Sequence, residues 1–377
     1  MKYYDRVWAE IDLDAIMKNV DHMKANLREG TKMMGIIKTD GYGHGALPIA
    51  RRMEERDFVF GFGVATAQEA MDLREGGIKK PILILGYTFP DSYADLINAE
   101  VRPTLFTDEM LQDFDACSAK AGKKCKVHIK VDTGMSRIGI RPDDEGLAFV
   151  QRALTCDNLE VEGIFTHFAR ADEFDKTSAN AQLKRFQDFT NRIESELGVK
   201  IPIKHCSNSA GIIEMPEANM DMVRAGITLY GLWPSDEVRK DIVLLQPALS
   251  LKSRIVFVKT VEEGCEISYG GTYKATKPTR IATVGIGYGD GYPRGLSNKG
   301  YVLIHGQKAP VTGRVCMDQM MIDVSHIKED VKTGDIVTLI GSEGSESISM
   351  EELGELGGRF NYELACDIGK RVPRIYK

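Results

Sequence analysis

Met33-Met34-Gly35-Ile36-Ile37-Lys38-Thr39-Asp40-Gly41-Tyr42-Gly43-His44-Gly45 sets a lysine where a short apolar run opens into a glycine-rich turn. The run reads as a buried β-strand. A lysine at such a strand end either snorkels its amine to water or is desolvated and becomes a nucleophile. The strand alone leaves both readings open. The tail adds Gly41, Gly43 and Gly45, interleaved with Tyr42 and His44. That pattern suits a loop whose backbone approaches a ligand closely while an aromatic hydroxyl reaches it.

Similar apolar runs recur through the first 230 or so residues, at Phe60–Thr66, Pro81–Gly86, Val101–Phe106, Lys126–Asp132, Leu159–Phe168, Ile203–Ser209 and Met220–Ile227. Segments of helical periodicity lie between them, among them Ala67–Glu75, Thr107–Ala121 and Lys176–Leu197. With Met33–Lys38, eight strands alternating with helices predict a closed parallel (β/α)8 barrel of the TIM type. A doubly wound open sheet is the alternative. It normally carries a Gly-x-Gly-x-x-Gly turn after its first strand, and none is present.

Beyond residue 240 the texture changes to strand-like runs with glycine-rich connections, at Leu249–Glu262, Arg280–Gly285, Tyr301–Ile304, Lys308–Cys316, Met320–Val324 and Asp335–Ile340. A separate, mainly antiparallel β domain is expected there. The predicted division is 1–240 and 241–377, with a linker near Pro234–Asp241. One clear helix is expected in the second part, capped by Ser349 with Glu352 completing a capping box.

Composition narrows the class. The 377 residues are 43% apolar, with no run of the roughly eighteen apolar residues a membrane helix needs. The first six residues lack the apolar core of a signal peptide, so a soluble cytoplasmic protein is expected. Seven cysteines, none in a Cys-x-x-Cys pair, point to reduced thiols rather than to disulfides or a metal cluster. The net charge of −6 argues against a nucleic-acid partner. Lys370, Arg371, Arg374 and Lys377 read as a solvated end.

Barrel chemistry gathers at the carboxyl ends of the strands. Lys38, Arg137, His167, Ser209 and Arg224 all follow or end predicted strands, and hardly any carboxylate stands with them. Such a set suits an anionic ligand whose carbonyl reacts with an amine. Singly each has a plainer reading. His167 could be a hydrogen-bonded core histidine, Arg224 a surface arginine, and Ser209 a helix cap.

The opening motif, together with Lys130-Val-Asp-Thr-Gly-Met-Ser-Arg137, Ser207-Asn-Ser209-Ala, Arg224-Ala-Gly226-Ile227, Ile267-Ser-Tyr269-Gly270, Gly287-Tyr288, Arg314-Val-Cys316-Met317-Asp318 and Asn361-Tyr362-Glu363, resembles bacterial alanine racemases along essentially the whole chain. The family's first motif usually reads Lys-Ala-Asn-Ala-Tyr-Gly-His-Gly, and Thr39, Asp40 and Gly41 depart from its middle.

The resemblance implies a pyridoxal 5'-phosphate enzyme interconverting L- and D-alanine, a cytoplasmic homodimer with shared sites that supplies D-alanine for peptidoglycan. Lys38 would carry the cofactor and serve the D-face of the substrate, and Tyr269 of the partner subunit would serve the L-face. Tyr42, Ser209, Gly226, Ile227 and Tyr362 would hold the phosphate. Arg224 would meet the pyridine nitrogen, steadied by His167. Arg137 would bond the ring oxygen and, with Met317, the substrate carboxylate. Lys130 would be a site of carbamylation, and Asp172, Tyr288, Arg294 and Arg314 would line the entrance. No metal is implied. Serine or broad-specificity racemisation is the near alternative, and a non-catalytic pyridoxal-phosphate carrier the distant one. Arg224 argues against the decarboxylases of similar architecture, which place an acidic residue at the pyridine nitrogen.

Overall fold

The computed structural model describes residues 6–377. They form two compact units. The first comprises Met17–Gly41 and Ala46–Gln246; the second comprises residues 6–16, Tyr42–Gly45 and Pro247–Lys377. The expected boundary at 240/241 therefore moves to Gln246–Pro247, and two short segments assigned to the barrel belong to the second unit.

The first unit is the closed (β/α)8 barrel. Its strands are Lys32–Ile36, Val59–Val64, Ile82–Ile84, Val101–Arg102 continued by Thr104–Leu105, Cys125–Lys130, Leu159–Phe165, Ile203–His205 and Met222–Ala225. Pro103 breaks the fourth strand because proline has no N–H for the ladder, yet its carbonyl still accepts from His128 N at 3.1 Å. Parallel pairing runs round the ring, and the eighth strand closes on the first from Met222↔Lys32 to Ala225↔Gly35. Asp221 N to Lys204 O (3.2 Å) and Arg224 N to Ser207 O (3.0 Å) join the seventh and eighth.

Local signals set the helices. Ala67–Glu75 begins at a Thr66 cap with a complete capping box to Glu69. Asp108–Ala121 is capped by Thr107 and ends at the left-handed Gly122. Thr177–Leu197 buries Leu183, Phe186, Phe189 and Ile193, spaced three or four apart on the face turned to the barrel core.

The second unit is built on a nine-stranded, mostly antiparallel sheet. Its long strand Leu249–Val261 pairs with Val7–Ile11, with Thr279–Val284 and with Ile336–Glu343. Val7–Ile11 also pairs in parallel with Arg374–Tyr376, so the N-terminal strand lies between two segments from the other end of the chain. Five residues near a terminus carry too little periodicity to announce such a partner. Two helices occur where one was expected, Met350–Gly357 and Asn361–Asp367. Ser349 does accept from Glu352 N (3.0 Å), but the Glu352 carboxylate turns to the Tyr301 hydroxyl and leaves the box half made.

The C-terminal cations are not simply solvated. Arg374 donates to four carbonyls, of Gly43, Ile368, Gly369 and Val372, at 2.6–2.9 Å. Arg371 pairs with Asp290 and Asp318, and Lys377 with Glu10.

Asp290, 1% exposed, is the buried anion of this unit. Its carboxylate takes Arg6 (2.5 and 3.0 Å), Arg371 (2.8 Å) and the N–H of Gly287 (3.0 Å). Arg6 also donates to the carbonyls of Gly285 and Asp318, so this carboxylate ties together the two loops that carry Tyr288 and Met317. Both arginines reach solvent, so Asp290→Ala should cost about 2 kcal/mol, below the value for a fully buried pair. Urea denaturation checks this, and an unchanged midpoint would refute the anchoring role.

Candidate active site

The chain leaves the first barrel strand through a left-handed turn. Thr39, Asp40, Gly41 and Tyr42 have φ of 54°, 49°, 62° and 50°. Each non-glycine residue in that region costs about 1–2 kcal/mol, and such strain persists only where surrounding contacts over-determine it. Here Gly41 N donates to Ile37 O (2.8 Å), Thr39 N to the Glu69 carboxylate (2.6 Å) and Ala46 N to the Asp40 carboxylate (2.8 Å). The residues that depart from the family's usual motif thus hold the turn. Lys38, half-buried, stands at its start.

Arg224 is 3% exposed on the eighth strand and is no surface arginine. Nη1 meets His205 Nδ1 (2.9 Å) and donates to His205 O (3.1 Å). Nη2 donates to Thr166 O (2.7 Å) and Cys206 O (2.9 Å), and meets His167 Nδ1 (3.1 Å). The Phe165 ring lies beneath the guanidinium, its centroid 5.3 Å from Cζ. Burial brings Arg224 down to about 10, so it remains cationic at neutral pH. Its Nε makes no hydrogen bond among the described residues.

Lys130 ends the fifth strand, 3% exposed, its Nζ 4.6 Å from the Phe165 centroid. Burial first, then Arg224 and Arg137, push its amine well below the ordinary range. Arg137 is exposed in the following loop. The Asp132 carboxylate shapes that loop by accepting the N–H groups of Gly134, Met135 and Ser136, each at 3.0 Å. Gln182 braces it by donating to Thr133 Oγ1 (3.3 Å) and to His167 O (3.2 Å). Burial, then Arg224, Lys130, Arg137 and Lys38, hold His167 well below its ordinary value. The fold has gathered these cations on one rim.

Ser209 opens the helix Ser209–Glu214, but its cap is Asn208, which accepts from Gly211 N at 3.1 Å. The Ser209 hydroxyl is thereby released from capping. Gly226 N (3.0 Å), Thr228 N (3.5 Å) and Thr228 Oγ1 (3.0 Å) all point at its Oγ. Ile227 begins a 3-10 turn, so its N–H has no partner within the helix. Asp172 lies in the loop after the sixth strand, its carbonyl bonded by Ser235 (2.7 Å).

The second unit holds the remaining candidates. Tyr42 is 8% exposed, its ring centroid 6.0 Å from that of Tyr362. Gly43 beside it has φ +78°, and a Cβ there would lie 2.2 Å from Ala365 O. Tyr269, 70% exposed, follows Ser268, whose hydroxyl donates to Arg314 O at 2.7 Å. Tyr269 borders two cavities of about 590 Å³ each. One is shared with Met317 and Cys316, the other with Tyr288, Tyr292 and Arg294. Gly287 permits this crowding, since a Cβ would fall 2.2 Å from Cys316 O and 2.4 Å from Met317 O.

Residues 11–234 match the model of the alanine racemase N-terminal domain, and 248–376 that of its C-terminal domain. The alanine racemase of Desulforamulus reducens is 48% identical over 98% of both chains. The chain belongs to the alanine racemase family. The structure of alanine racemase from Clostridium difficile 630 superposes with a TM-score of 0.95 at 41% identity, covering 100% of this chain and 97% of that one. That of Bartonella henselae, with covalently bound pyridoxal phosphate, gives 0.86 at 27% identity over 99% of each. The protein is therefore an amino-acid racemase acting on alanine.

Sequence reading missed the residues behind the rim. His205, His128, Glu162 and Gln182 are all buried, and the first three form a hydrogen-bonded series behind Arg224. Alternation of Lys126, His128 and Lys130 along an otherwise apolar strand was the available signal, since residues two apart share a face.

Burial depresses His128, His167 and His205, so all three are neutral in the folded protein at pH 7. The unfolded chain would protonate them near 6.5. Folding stability is therefore full above 6.5 and falls as pH drops below it, by up to about 1.4 kcal/mol per pH unit for each histidine. Urea midpoints between pH 7.5 and 5.5 test this. A profile flat down to 5.5 would contradict neutral histidines.

Proposed function

We propose that the site exchanges the Cα proton of alanine by two bases, Lys38 on the D-face and Tyr269 of the partner subunit on the L-face. The observation that carries the reading is the fixing of Arg224. Both of its terminal nitrogens are committed to the barrel, and only Nε–H remains for a ring nitrogen.

The residues fit pyridoxal 5'-phosphate, as carried by the Bartonella henselae relative. Three donors crowd the Ser209 hydroxyl, whose oxygen has two lone pairs; a phosphate offers more acceptors. The N–H at the start of the Ile227 turn, which lies outside the turn's own hydrogen bonds, adds to an anion-binding corner. Ser209, Gly226, Ile227, Tyr42 and Tyr362 would hold the phosphate, and Lys38 the carbonyl carbon. When bound, the cofactor withdraws electrons from Cα and acidifies its proton.

The protein's own groups then direct that chemistry. A guanidinium does not readily release its proton, so Arg224 would leave the ring nitrogen unprotonated and disfavour transamination. His167 steadies Arg224 at 3.1 Å. Arg137 would bond the ring oxygen and, with Met317 N–H, would grip the substrate carboxylate. Tyr269 removes or returns the proton opposite Lys38, and a phenol needs cationic or hydrogen-bonding help to do so. Asp172, Tyr288, Arg294 and Arg314 line the approach. We place this activity in the cytoplasm, supplying D-alanine for peptidoglycan. Among the described residues no helix is long and apolar enough to cross a membrane.

Lys38 and Tyr269 belong to different compact units. We assign the active unit as a head-to-tail homodimer in which each site draws on both chains. Lys38→Ala and Tyr269→Ala should each be nearly inactive. Co-refolded at equal amounts, about half the dimers are mixed with one of two sites intact, so about a quarter of wild-type activity should return. Mixed dimers as inactive as their parents would reject shared sites.

Lys130 is the candidate for carbamylation. It is buried near Arg224 and Arg137, and its amine makes no hydrogen bond or ion pair among the described residues. As a carbamate it would become an anion suited to both arginines. Activity lost in carbon-dioxide-free buffer should return with bicarbonate. Independence from bicarbonate, with full activity in Lys130→Ala, would exclude the modification.

A further inference from the structure

We propose that Glu162 is a positioning residue for Arg224, acting through His128 and His205 by fixing the direction of each hydrogen bond between them. The series crosses the barrel interior from the sixth strand to the eighth. Glu162 Oε2 lies 3.3 Å from His128 Nε2, His128 Nδ1 lies 2.9 Å from His205 Nε2, and His205 Nδ1 lies 2.9 Å from Arg224 Nη1.

The two ends decide the sense of the whole. A guanidinium can only donate, and an ionised carboxylate can only accept. Each neutral imidazole has one donor and one acceptor. Between an all-donor and an all-acceptor group, two neutral imidazoles can be ordered in one way, with both protons on Nε2. His128 then donates to Glu162, His205 donates to His128, and Arg224 donates to His205. With the sense reversed, an N–H on His205 would face an N–H of Arg224.

Glu162 is equipped to stay ionised. Burial would raise it, but His128 and Arg102 outweigh burial and bring it down to about 2. Arg102 Nε at 3.2 Å and Lys126 Nζ at 3.1 Å hold the carboxylate in place. Burial keeps His128 and His205 neutral. The rings are also confined. Phe165 stacks on His205 with centroids 4.7 Å apart and planes within 9°. Gly163 leaves room for His128, since a Cβ there would fall 2.4 Å from its ring.

The consequence rests on the reading of Arg224 as the group that meets the cofactor's ring nitrogen. A carboxamide at 162 can donate as well as accept, so the reversed sense becomes accessible. Arg224 would then lose the His205 imidazole as an acceptor, keeping only the His205 carbonyl, and hold Nε–H less firmly. Neither Glu162 nor His128 would touch substrate or cofactor.

Histidine labelled with ¹⁵N reports the tautomers directly in the purified protein, with and without added pyridoxal phosphate, with signals assigned by single histidine substitutions. His128 and His205 should both carry the proton on Nε2 with Nδ1 bare. Glu162→Gln should give His205 a mixed or reversed tautomer, shift the absorbance of bound cofactor, and lower kcat about tenfold with KM for alanine within about twofold, as for other groups that orient a functional residue. A wild-type His205 protonated on Nδ1, or a Glu162→Gln protein with unaltered tautomers and kcat, would overturn the proposal. If Glu162→Gln fails to fold, the wild-type spectrum alone decides. These spectra need no turnover, so failure of the racemase reading would show separately, as a wild-type protein inactive on alanine.

Discussion

A permanently charged guanidinium inside a barrel is the constraint on which the rest of the first unit turns. Arg224 cannot be neutralised at physiological pH, so its desolvation must be met by acceptors. The barrel supplies three carbonyls, of Thr166, His205 and Cys206, and two imidazoles. Two of those carbonyls come from residues just past strand ends, where backbone leaves the ladder and its oxygens become available. The imidazoles must be neutral to accept, and burial keeps them so. One charge therefore dictates the protonation of its neighbours.

The same economy explains the scarcity of anions on the rim. Burial first, and then Arg224, Lys130, Arg137 and Lys38, depress His167. A carboxylate among them would pair with the arginines and compete with an anionic substrate. Carboxylates close to the rim are engaged elsewhere, Glu69 and Asp40 on backbone N–H groups of the Lys38 turn, Asp132 on three more, and Glu162 at the far end of the histidine series. The charge of this rim suits the phosphate and amino-acid carboxylate proposed for it.

In the second unit, backbone hydrogen bonds and one buried carboxylate share the positioning. Ser268 binds the Arg314 carbonyl, Tyr288 N–H the Cys316 carbonyl, and Gly289 N–H the Met317 carbonyl. Asp290 anchors the set from beneath with Arg6 and Arg371. Tyr269 and Met317 are consequently presented outward on loops held at several points. That suits the role proposed for them, meeting a ligand without being part of a core.

Much of this was legible in the chain itself. Strand period, the helical segments Ala67–Glu75 and Thr107–Ala121, and the change of texture after residue 240 carry the architecture, because they depend on neighbours only a few residues away. The Lys38 turn, Arg137, Arg224 and Tyr269 were marked by local motifs. What the tertiary structure alone decided involves partners far apart in sequence. Val7–Ile11 joins the C-terminal sheet some 240 residues on, and Glu162 reaches Arg224 through histidines at 128 and 205. A hydrogen bond's direction depends on what stands at both ends. No single segment of this chain contains both ends, so only folding could settle it.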